Sequence, residues 1–335
     1  GRETVARVDG TRLSVDEFDA RFLRPHEPVL LTNLTRDWRA TRELVSPSGE
    51  PDVRALERAL GPDTLVPVQV CGSHERREMC LSDFLRVWGG GAGPRKGEGE
   101  LLYMKDFALK LTERRGEVPL YTSPELFVED WLNAFWSAQE AESEDHRFLY
   151  FGRAGTFTPL HSDVLNSHSW SAQIAGRKRW LLFPPDQTPL LVDARGECPE
   201  DARAADPKRF PKASVARPIV VEQSAGEVLF VPTKWYHQVV NVSDSLSINH
   251  NWLNSSNSGE CWDYLLSTLA SVREHLDPED EGDEPFVQSL LRRRAGLDLP
   301  SFARMLERAL EREATEAAAL LSRAPAPAEA PLRTA

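Results

Sequence analysis

The segment TPLHSD at residues 158–163 decides how the chain is interpreted, because it places two metal-ligating side chains one residue apart. In an extended strand, residues i and i+2 point to the same side, so His161 and Asp163 can reach one ion. His237 lies further along, in the strand-like segment WYHQVV at residues 235–240. Two imidazoles and one carboxylate leave coordination positions open, as in non-haem Fe(II) oxygenases, whereas structural zinc takes four protein ligands. The pattern therefore predicts a catalytic iron site made of His161, Asp163 and His237.

Four further motifs surround these ligands. They are SWS at residues 169–171, GRKRWLLFPP at 176–185, SAGEVLFVP at 224–232 and SINHNW at 247–252. A purely structural role for the two histidines would leave this set unexplained. Together with TPLHSD, the motifs resemble the jumonji C (JmjC) family of 2-oxoglutarate-dependent oxygenases, from about residue 25 to residue 255.

The resemblance implies Fe(II) as the cofactor, with 2-oxoglutarate and O2 as co-substrates. It is strongest to the lysyl hydroxylases that modify a translation release factor. It therefore implies a dioxygenase that hydroxylates lysine, a release factor as the protein partner and a role in translation termination. We expect a cytoplasmic location, with the nucleus as the alternative.

Two other functions share this resemblance. A JmjC N-methyl-lysine or arginine demethylase, or another protein oxygenase, uses the same core. A non-catalytic JmjC scaffold acting through its C-terminal helices would be favoured by loss of a metal ligand, yet all three ligands are present.

The resemblance also assigns a residue to the far carboxylate of the co-substrate. Lys178 occupies the position from which some JmjC relatives bind it, with the Thr158 hydroxyl beside it. Charge-assisted hydrogen bonds of this kind contribute about 1.5–3 kcal/mol each. On a strand, Arg177 and Arg179 face away from Lys178, so we expect both to be solvated.

Five more residues are candidates for contacts inside the barrel. Asn251 lies where related sequences carry an Asn near the co-substrate carboxylate, and Asn249 would face inward with it. Ser171 stands where some relatives have Asn, so a hydroxyl replaces an amide near the 1-carboxylate. Tyr103 and Tyr150 could each supply a phenol to the co-substrate or simply pack, and the sequence does not choose between them.

The remaining aromatic and histidine residues near these motifs are interpreted as structural. Core packing is the commoner use of aromatic side chains. We expect it, rather than a substrate cage, for Trp170, Trp180, Trp235 and Trp252. His168 is expected to pack or to support the ligands from outside the coordination shell.

The fold class predicted is mainly β with flanking helices (α+β). Short segments separated by Gly, Pro and Ser-Asp turns predict a double-stranded β-helix, that is, a jelly-roll or cupin-like barrel. The expected strands are residues 147–152, 156–164, 169–174, 179–183, 218–221, 228–231, 237–242 and 245–252.

Four regions follow from these patterns. Residues 1–140 are an N-terminal α/β elaboration packed on the core, 141–255 the JmjC core, 256–322 a C-terminal helical region and 323–335 a disordered tail rich in Ala and Pro.

Local signals mark two helix starts and one insertion. Ser14 and Glu17 form a capping box for a short helix, and Ser123 followed by proline predicts a helix that reaches Trp136. Residues 186–217 lack apolar periodicity and predict a surface insertion near the barrel mouth.

The C-terminal region carries a helical apolar stripe made of Cys261, Leu265, Leu269 and Val272. Two further helices are expected over residues 286–294 and 301–321. The stripe is compatible either with a homodimer surface or with a cap over the barrel. The acidic run at residues 277–284 is interpreted as a solvated connector.

The chain has 335 residues, 41% of them hydrophobic, and a net charge of −12. This acidic balance argues against stable nucleic-acid binding through phosphate contacts. No apolar run approaches the roughly 20 residues of a membrane span, so no membrane partner is expected.

Four scattered cysteines predict reduced thiols. Cys71, His74 and Cys80 lack a nearby fourth ligand for structural zinc. The segment from Gly1 does not read as a signal peptide, and because it does not begin with Met we expect further residues upstream.

Overall fold

The structure, a computed structural model, describes residues 4–89, 100–109, 118–139, 146–277, 279–280 and 282–323. The predicted boundary at 140/141 and nearly all of the predicted tail lie outside these residues. Both stay predictions.

Strands dominate the first 252 residues, and the longer helices follow them. The strands are β1 (Ala6–Asp9), β2 (Val29–Thr32), β3 (Leu65–Val70), β4 (Arg76–Cys80), β5 (Leu102–Ala108), β6 (Arg147–Gly152), β7 (Phe157–His161), β8 (His168–Ala175), β9 (Arg177–Phe183), β10 (Ile219–Ser224), β11 (Glu227–Val231), β12 (Tyr236–Asn241) and β13 (Ser245–Trp252). The helices are α1 (Val15–Phe18), α2 (Arg39–Glu43), α3 (Val53–Leu60), α4 (Leu81–Gly89), α5 (Trp131–Ser137), α6 (Thr188–Leu191), α7 (Ser258–Arg273), α8 (Glu284–Ala295) and α9 (Leu299–Arg323).

Two sheets form the core. The larger has the strand order β1-β2-β11-β8-β13-β6-β5-β3-β4, and the smaller β10-β9-β12-β7. The eight predicted barrel strands are β6 to β13, and they divide equally between the two sheets. Leu229 and Val231 of the large sheet pack in one apolar cluster with Trp180 and Val239 of the small sheet. Both inner faces therefore share a core, which confirms the jelly-roll prediction.

The N-terminal region extends the large sheet at both ends. Strands β1 and β2 continue it beyond β11, and β5, β3 and β4 continue it beyond β6. Phe18, Phe84, Phe151 and Trp170 belong to one buried cluster, so this region shares the core of the barrel. The capping box is confirmed, since the Ser14 hydroxyl accepts a hydrogen bond from the backbone of residue 17 at 3.2 Å.

One helix prediction is wrong. The segment from Ser123 to Trp136 is a 3-10 turn at Glu125–Phe127 followed by a separate helix, α5, which begins at Trp131. The Asp130 carboxylate accepts a hydrogen bond from the backbone N–H of Asn133 at 2.9 Å. This cap starts a new helix and ends any continuation of the first turn.

The insertion at residues 186–217 is tied to the small sheet. The backbone N–H of Leu160 on β7 donates to the Glu200 carbonyl at 2.9 Å. The Gln238 side chain of β12 accepts from the backbone N–H of Ala202, also at 2.9 Å. The insertion therefore lies along the free edge of β7.

The C-terminal helices pack against the end of the barrel. Cys261, Leu265, Leu269 and Val272 are the buried residues of α7, as predicted. They share a cluster with Leu165, which follows β7, so this face caps the barrel. No helix in the described part of the chain is long and apolar enough to cross a membrane.

The turn between β8 and β9 requires glycine at position 176. Gly176 has φ +78°, and a Cβ there would overlap the carbonyl oxygen of Asp244. Gly226 has φ +87°, but a Cβ there would meet nothing within 4 Å. The two glycines share the left-handed conformation and differ in crowding.

We expect Gly226→Ala to lower the free energy of unfolding by about 1–2 kcal/mol, from left-handed strain alone. Gly176→Ala should cost a further ~1–3 kcal/mol, because the added methyl group cannot be accommodated. Urea denaturation of both variants measures the difference. Equal losses would show that crowding by Asp244 is unimportant.

Candidate metal centre

The two histidines are a directly opposed pair on neighbouring antiparallel strands. His161 on β7 is in register with His237 on β12, and their ring centroids lie 4.2 Å apart. A β-bulge follows His237 on β12. Bulges commonly re-aim side chains beside active sites. The sheet therefore brings the two imidazoles to one point.

Each imidazole is oriented by its own backbone. Nδ1 of His161 lies 2.8 Å from the Pro159 carbonyl oxygen, and Nδ1 of His237 lies 3.0 Å from that of Trp235. A carbonyl oxygen only accepts, so Nδ1 carries the proton in both rings. Nε2 is then left with the lone pair that a metal needs.

Asp163 lies just beyond the end of β7. Its backbone is extended (φ −64°, ψ 146°), which keeps it on the same side as His161. The turn that follows contains Leu165 and Asn166 in the left-handed conformation and leads into β8. The i, i+2 prediction therefore holds although Asp163 is not in the strand.

The electrostatics favour a cation between these groups. Burial opposes ionisation of Asp163, but its polar neighbours, His237 first among them, outweigh burial and lower the carboxyl pKa. Burial, with His237 adding to it, lowers the pKa of His161 to about 3, so its ring is neutral and able to bind a metal. Asp163 Oδ2 is buried without a hydrogen-bond partner.

These three residues fit a metal. Their ligand atoms lie within 4.8 Å of one another, and within the described residues this is the sole cluster of its kind. Two nitrogens and one carboxylate oxygen suit Fe(II), and the donor set leaves further coordination positions for small ligands.

The centre lies in an inner chamber that opens into a wider mouth of about 670 Å³. The residues lining both spaces are Lys105, Tyr150, Thr158, His161, Asp163 and Asn251. Lys178, His237 and Asn249 line the inner chamber alone, whereas Asp106 and Glu200 line the mouth alone. A ligand can therefore reach the metal ligands from the surface.

Lys178 is the buried cation of the inner chamber, with 2% of its surface exposed. Its ammonium donates to the Ser247 hydroxyl at 2.6 Å, and that hydroxyl lies 3.1 Å from Asn249 Oδ1. Burial lowers the pKa of Lys178 to about 7. No carboxylate faces it within the described residues, so the ammonium lacks an anionic partner.

Comparison with known proteins agrees with this geometry. Residues 15–258 match the model of the cupin-like domain family. The chain is 38% identical to the 2-oxoglutarate and iron-dependent oxygenase JMJD4 of Homo sapiens, over 78% of this chain and 64% of the relative. It is 35% identical to the JMJD4 protein of Gallus gallus, over 87% of this chain and 71% of that relative. The chain belongs to the cupin-like JmjC family.

A plant member of the family matches over more of the chain. The chain is 33% identical to the arginine-specific demethylase JMJ20 of Arabidopsis thaliana, over 91% of this chain and 70% of the relative. This chain spans between 64% and 71% of the length of the three relatives.

The predicted JmjC site residues line the chamber, with Ser171 as the exception. Asn251 lies beside the Asp163 carboxylate, and its amide donates to the Ser167 hydroxyl at 3.1 Å. Ser171 does not line the chamber, because its hydroxyl donates to Asn249 Oδ1 at 3.0 Å from behind. Asn249 and Asn251 both line the inner chamber, and Ser171 supports Asn249 through its hydroxyl.

The two candidate tyrosines have different partners. The Tyr103 phenol lies beside Asn241 and Thr158 deep in the chamber, and burial raises its pKa, so it is a neutral donor. The Tyr150 phenol donates to Asp106 Oδ1 at 2.5 Å, at the junction of chamber and mouth. The Lys178 ammonium lies 5.5 Å from the centre of the Tyr150 ring, so Tyr150 faces the cation with its ring while its phenol binds Asp106.

The structural interpretations of other residues are confirmed. Trp170 and Trp252 are buried in the main core, and Trp180 and Trp235 in the core between the sheets. Trp180 in addition lines the chamber, 5.7 Å from the His237 ring between centroids. His168 lies outside the metal cluster, and its Nδ1 accepts from the backbone of residue 233.

The zinc alternative gains no support within the described residues. His74 pairs with Glu200 at 3.1 Å, and Cys71 and Cys80 are free thiols.

Sequence reasoning missed three residues of the site. Ser169 lies beside Asp163, Ser247 accepts from Lys178, and Lys105 lines both chamber and mouth. Ser169 lies on β8, opposite Asn251, and Ser247 lies on β13, two residues before Asn249. Strand alternation from Asn249 would have found Ser247.

We expect Mn(II), used as an air-stable probe, to raise the Tm of the protein by several degrees. A ligand at 100 times its Kd stabilises the folded state by about 2.7 kcal/mol. His237→Ala should abolish this response, whereas His74→Ala at the mouth should keep it. A differential scanning fluorimetry titration measures all three proteins. An unchanged response in His237→Ala would place the metal elsewhere.

Proposed function

We propose that this chain is an Fe(II)- and 2-oxoglutarate-dependent protein hydroxylase that oxidises a lysine side chain of a translation release factor, with O2 as the second co-substrate. One observation carries the proposal. The two imidazoles, the Asp163 carboxylate and the Lys178 ammonium, which has a hydroxyl but no anionic partner, all face one chamber that is open to the surface. Together they provide a metal site and a carboxylate site in one small space.

Lys178 is the anchor for a dicarboxylate. A carboxylate entering beside it would stabilise the charged ammonium that burial disfavours. The Tyr103 phenol lines the same chamber and is a neutral donor for that carboxylate. Trp180 and Val239 form an apolar side of the chamber. Lys178 would therefore hold the far carboxylate of the co-substrate, in the same chamber as the two metal-binding histidines.

The chain's own contribution is orientation and protection. Iron, when bound by His161, Asp163 and His237, supplies the oxidation of a C–H bond coupled to decarboxylation of 2-oxoglutarate. The carbonyls of Pro159 and Trp235 hold both imidazoles in the metal-binding tautomer. Asn251 and Ser169 lie beside the Asp163 carboxylate. No side chain is needed as a general base.

The choice of substrate rests on resemblance. The JMJD4 proteins are named oxygenases, which supports oxidation but does not name a target. The release factor, the cytoplasmic location and a role in translation termination remain part of this proposal. The proposal also includes a homodimer formed through the C-terminal helices. It includes neither stable nucleic-acid binding nor membrane binding.

A second candidate function is removal of methyl groups from arginine or lysine. The name of the Arabidopsis thaliana relative, an arginine-specific demethylase, favours it. It uses the same metal centre and co-substrate site, so the two functions differ in the product formed. A scaffold without activity is disfavoured because the ligand set is complete.

We expect anaerobically iron-loaded protein to convert 2-oxoglutarate to succinate on exposure to O2, faster with a release-factor peptide that contains lysine. Mass spectrometry should show a gain of one oxygen on lysine. Asp163→Ala should abolish both, because it removes a ligand. Loss of a methyl group from a methylated peptide would establish the demethylase instead. If no substrate leads to succinate, the protein is not an oxygenase, and the non-catalytic scaffold is the remaining function.

We also expect the affinity for 2-oxoglutarate to fall as pH rises above about 7. Because burial lowers the pKa of Lys178 to about 7, the ligand-free protein increasingly holds a neutral amine above that pH, and binding must then take up a proton. Because one proton is taken up, Kd should rise by at most about tenfold for each pH unit above 7. Anaerobic binding titrations between pH 6 and 9 measure it. Lys178→Met should bind more weakly at every pH, and a flat profile for the native protein would contradict the assignment.

A further inference from the structure

Strand β5 is distorted where it passes the mouth. Its pairing with β6 shifts between Met104 and Phe107, and Asp106 within that bulge has φ +63°. A non-glycine residue in this region is uncommon, although Asp tolerates it better than most. The bulge places Lys105 and Asp106, two consecutive charged residues, on the wall of the same cavity. A regular strand would turn them to opposite faces.

The two oxygens of Asp106 have different surroundings. Oδ1 accepts the Tyr150 phenol at 2.5 Å. Oδ2 has Arg76 and Lys105 nearby, with N–O distances of 3.7 and 3.8 Å, both beyond a good hydrogen bond. The carboxylate is thus fixed through one oxygen and offers the other to the mouth.

The position of Asp106 lies on the route to the metal. Tyr150, its hydrogen-bond partner, lines both the mouth and the inner chamber, as do His161 and Asp163. About a third of the Asp106 side chain is exposed to solvent. The Asp106 carboxylate therefore lies on the wall of the mouth through which a substrate side chain can reach the metal ligands.

We propose that Asp106 Oδ2 binds the ammonium of the substrate lysine, with Tyr150 holding the carboxylate in place. The inference rests on the proposed lysine hydroxylase function and names its specificity residue. A single acceptor oxygen suits a compact ammonium, whereas a guanidinium fork is best matched by two parallel oxygens. Because the ammonium is held at the wall, the carbon chain of the lysine is left facing the metal ligands.

Arg76 occupies the neighbourhood of Oδ2 in the free protein. Its side chain is 66% exposed and lies at the outer rim, so it can swing into solvent when an ammonium arrives. Lys105 is mostly buried and stays. Arg76 therefore competes with the substrate cation, and removing it should favour substrate binding.

The second mouth carboxylate is a matched control. Glu200 lines the same cavity but is already paired with His74 at 3.1 Å, and it lies on the insertion instead of beside Tyr150. Its backbone carbonyl, which binds Leu160, is unaffected by a side-chain change. Glu200→Gln removes the same charge from the mouth without touching Asp106.

The test is binding of fluorescent release-factor peptides to the Mn(II)- and 2-oxoglutarate-loaded full chain, followed by anisotropy. Peptides carry lysine, arginine or norleucine at the target position, norleucine being the lysine chain without its ammonium. We expect the native protein to prefer lysine over norleucine by about tenfold or more, the range of a charge-assisted hydrogen bond. Asp106→Asn should abolish this preference, Arg76→Gln should increase it, and Glu200→Gln should leave most of it.

The outcomes separate the inference from the function on which it rests. Equal weakening of all three peptides by Asp106→Asn would show a merely structural role and overturn the inference. So would a native protein that binds lysine and norleucine peptides equally, even if it hydroxylates lysine. A parallel assay for succinate and for oxygen gain by the native protein tests the function itself. Preference for arginine would overturn the single-acceptor argument.

Discussion

The antiparallel pairing of β7 with β12 is the constraint on which the metal centre depends. It sets His161 directly opposite His237. A slip of one residue would turn one imidazole to the other face of the sheet. Strand β12 is held on its other side by β9, where His237 is in register with Leu182. The register is thus fixed from both sides, and the third ligand needs only the short extended segment that leads to Asp163.

Inside the barrel, polar groups are arranged for a ligand more than for the stability of the free protein. A buried ammonium with one hydroxyl partner is a costly feature of a core. Asp163 Oδ2 is likewise costly, because it is buried without any hydrogen-bond partner. Such local conflicts are typical of functional sites, and the surrounding aromatic core supports them. Trp180 and Val239, from the cluster between the sheets, line the chamber directly.

Much of the barrel and the metal centre could be predicted from sequence, because both depend on local patterns. The i, i+2 spacing of His161 and Asp163 and the alternation of the strands are visible in one segment at a time. What could not be predicted depends on pairing between distant segments. Asn251 and Ser171 were both expected at the co-substrate, and Asn251 lines the chamber. The register of β13 with β8 places Asn249 opposite Ser171, so Asn249 lines the chamber and Ser171 does not. The bulge at Asp106 leaves no mark in the sequence, since neither glycine nor proline accompanies it.

The insertion at residues 186–217 has a consequence for solubility. Strand β7 is the last strand of the small sheet, and its outer side would present unpaired N–H and C=O groups, as any edge strand does. The Leu160 N–H is bonded by Glu200, and the carbonyl of the same residue accepts the Cys198 thiol at 3.0 Å. A second polypeptide therefore cannot add a strand alongside the one that carries His161. The same segment that borders the mouth also protects the sheet from edge-to-edge aggregation.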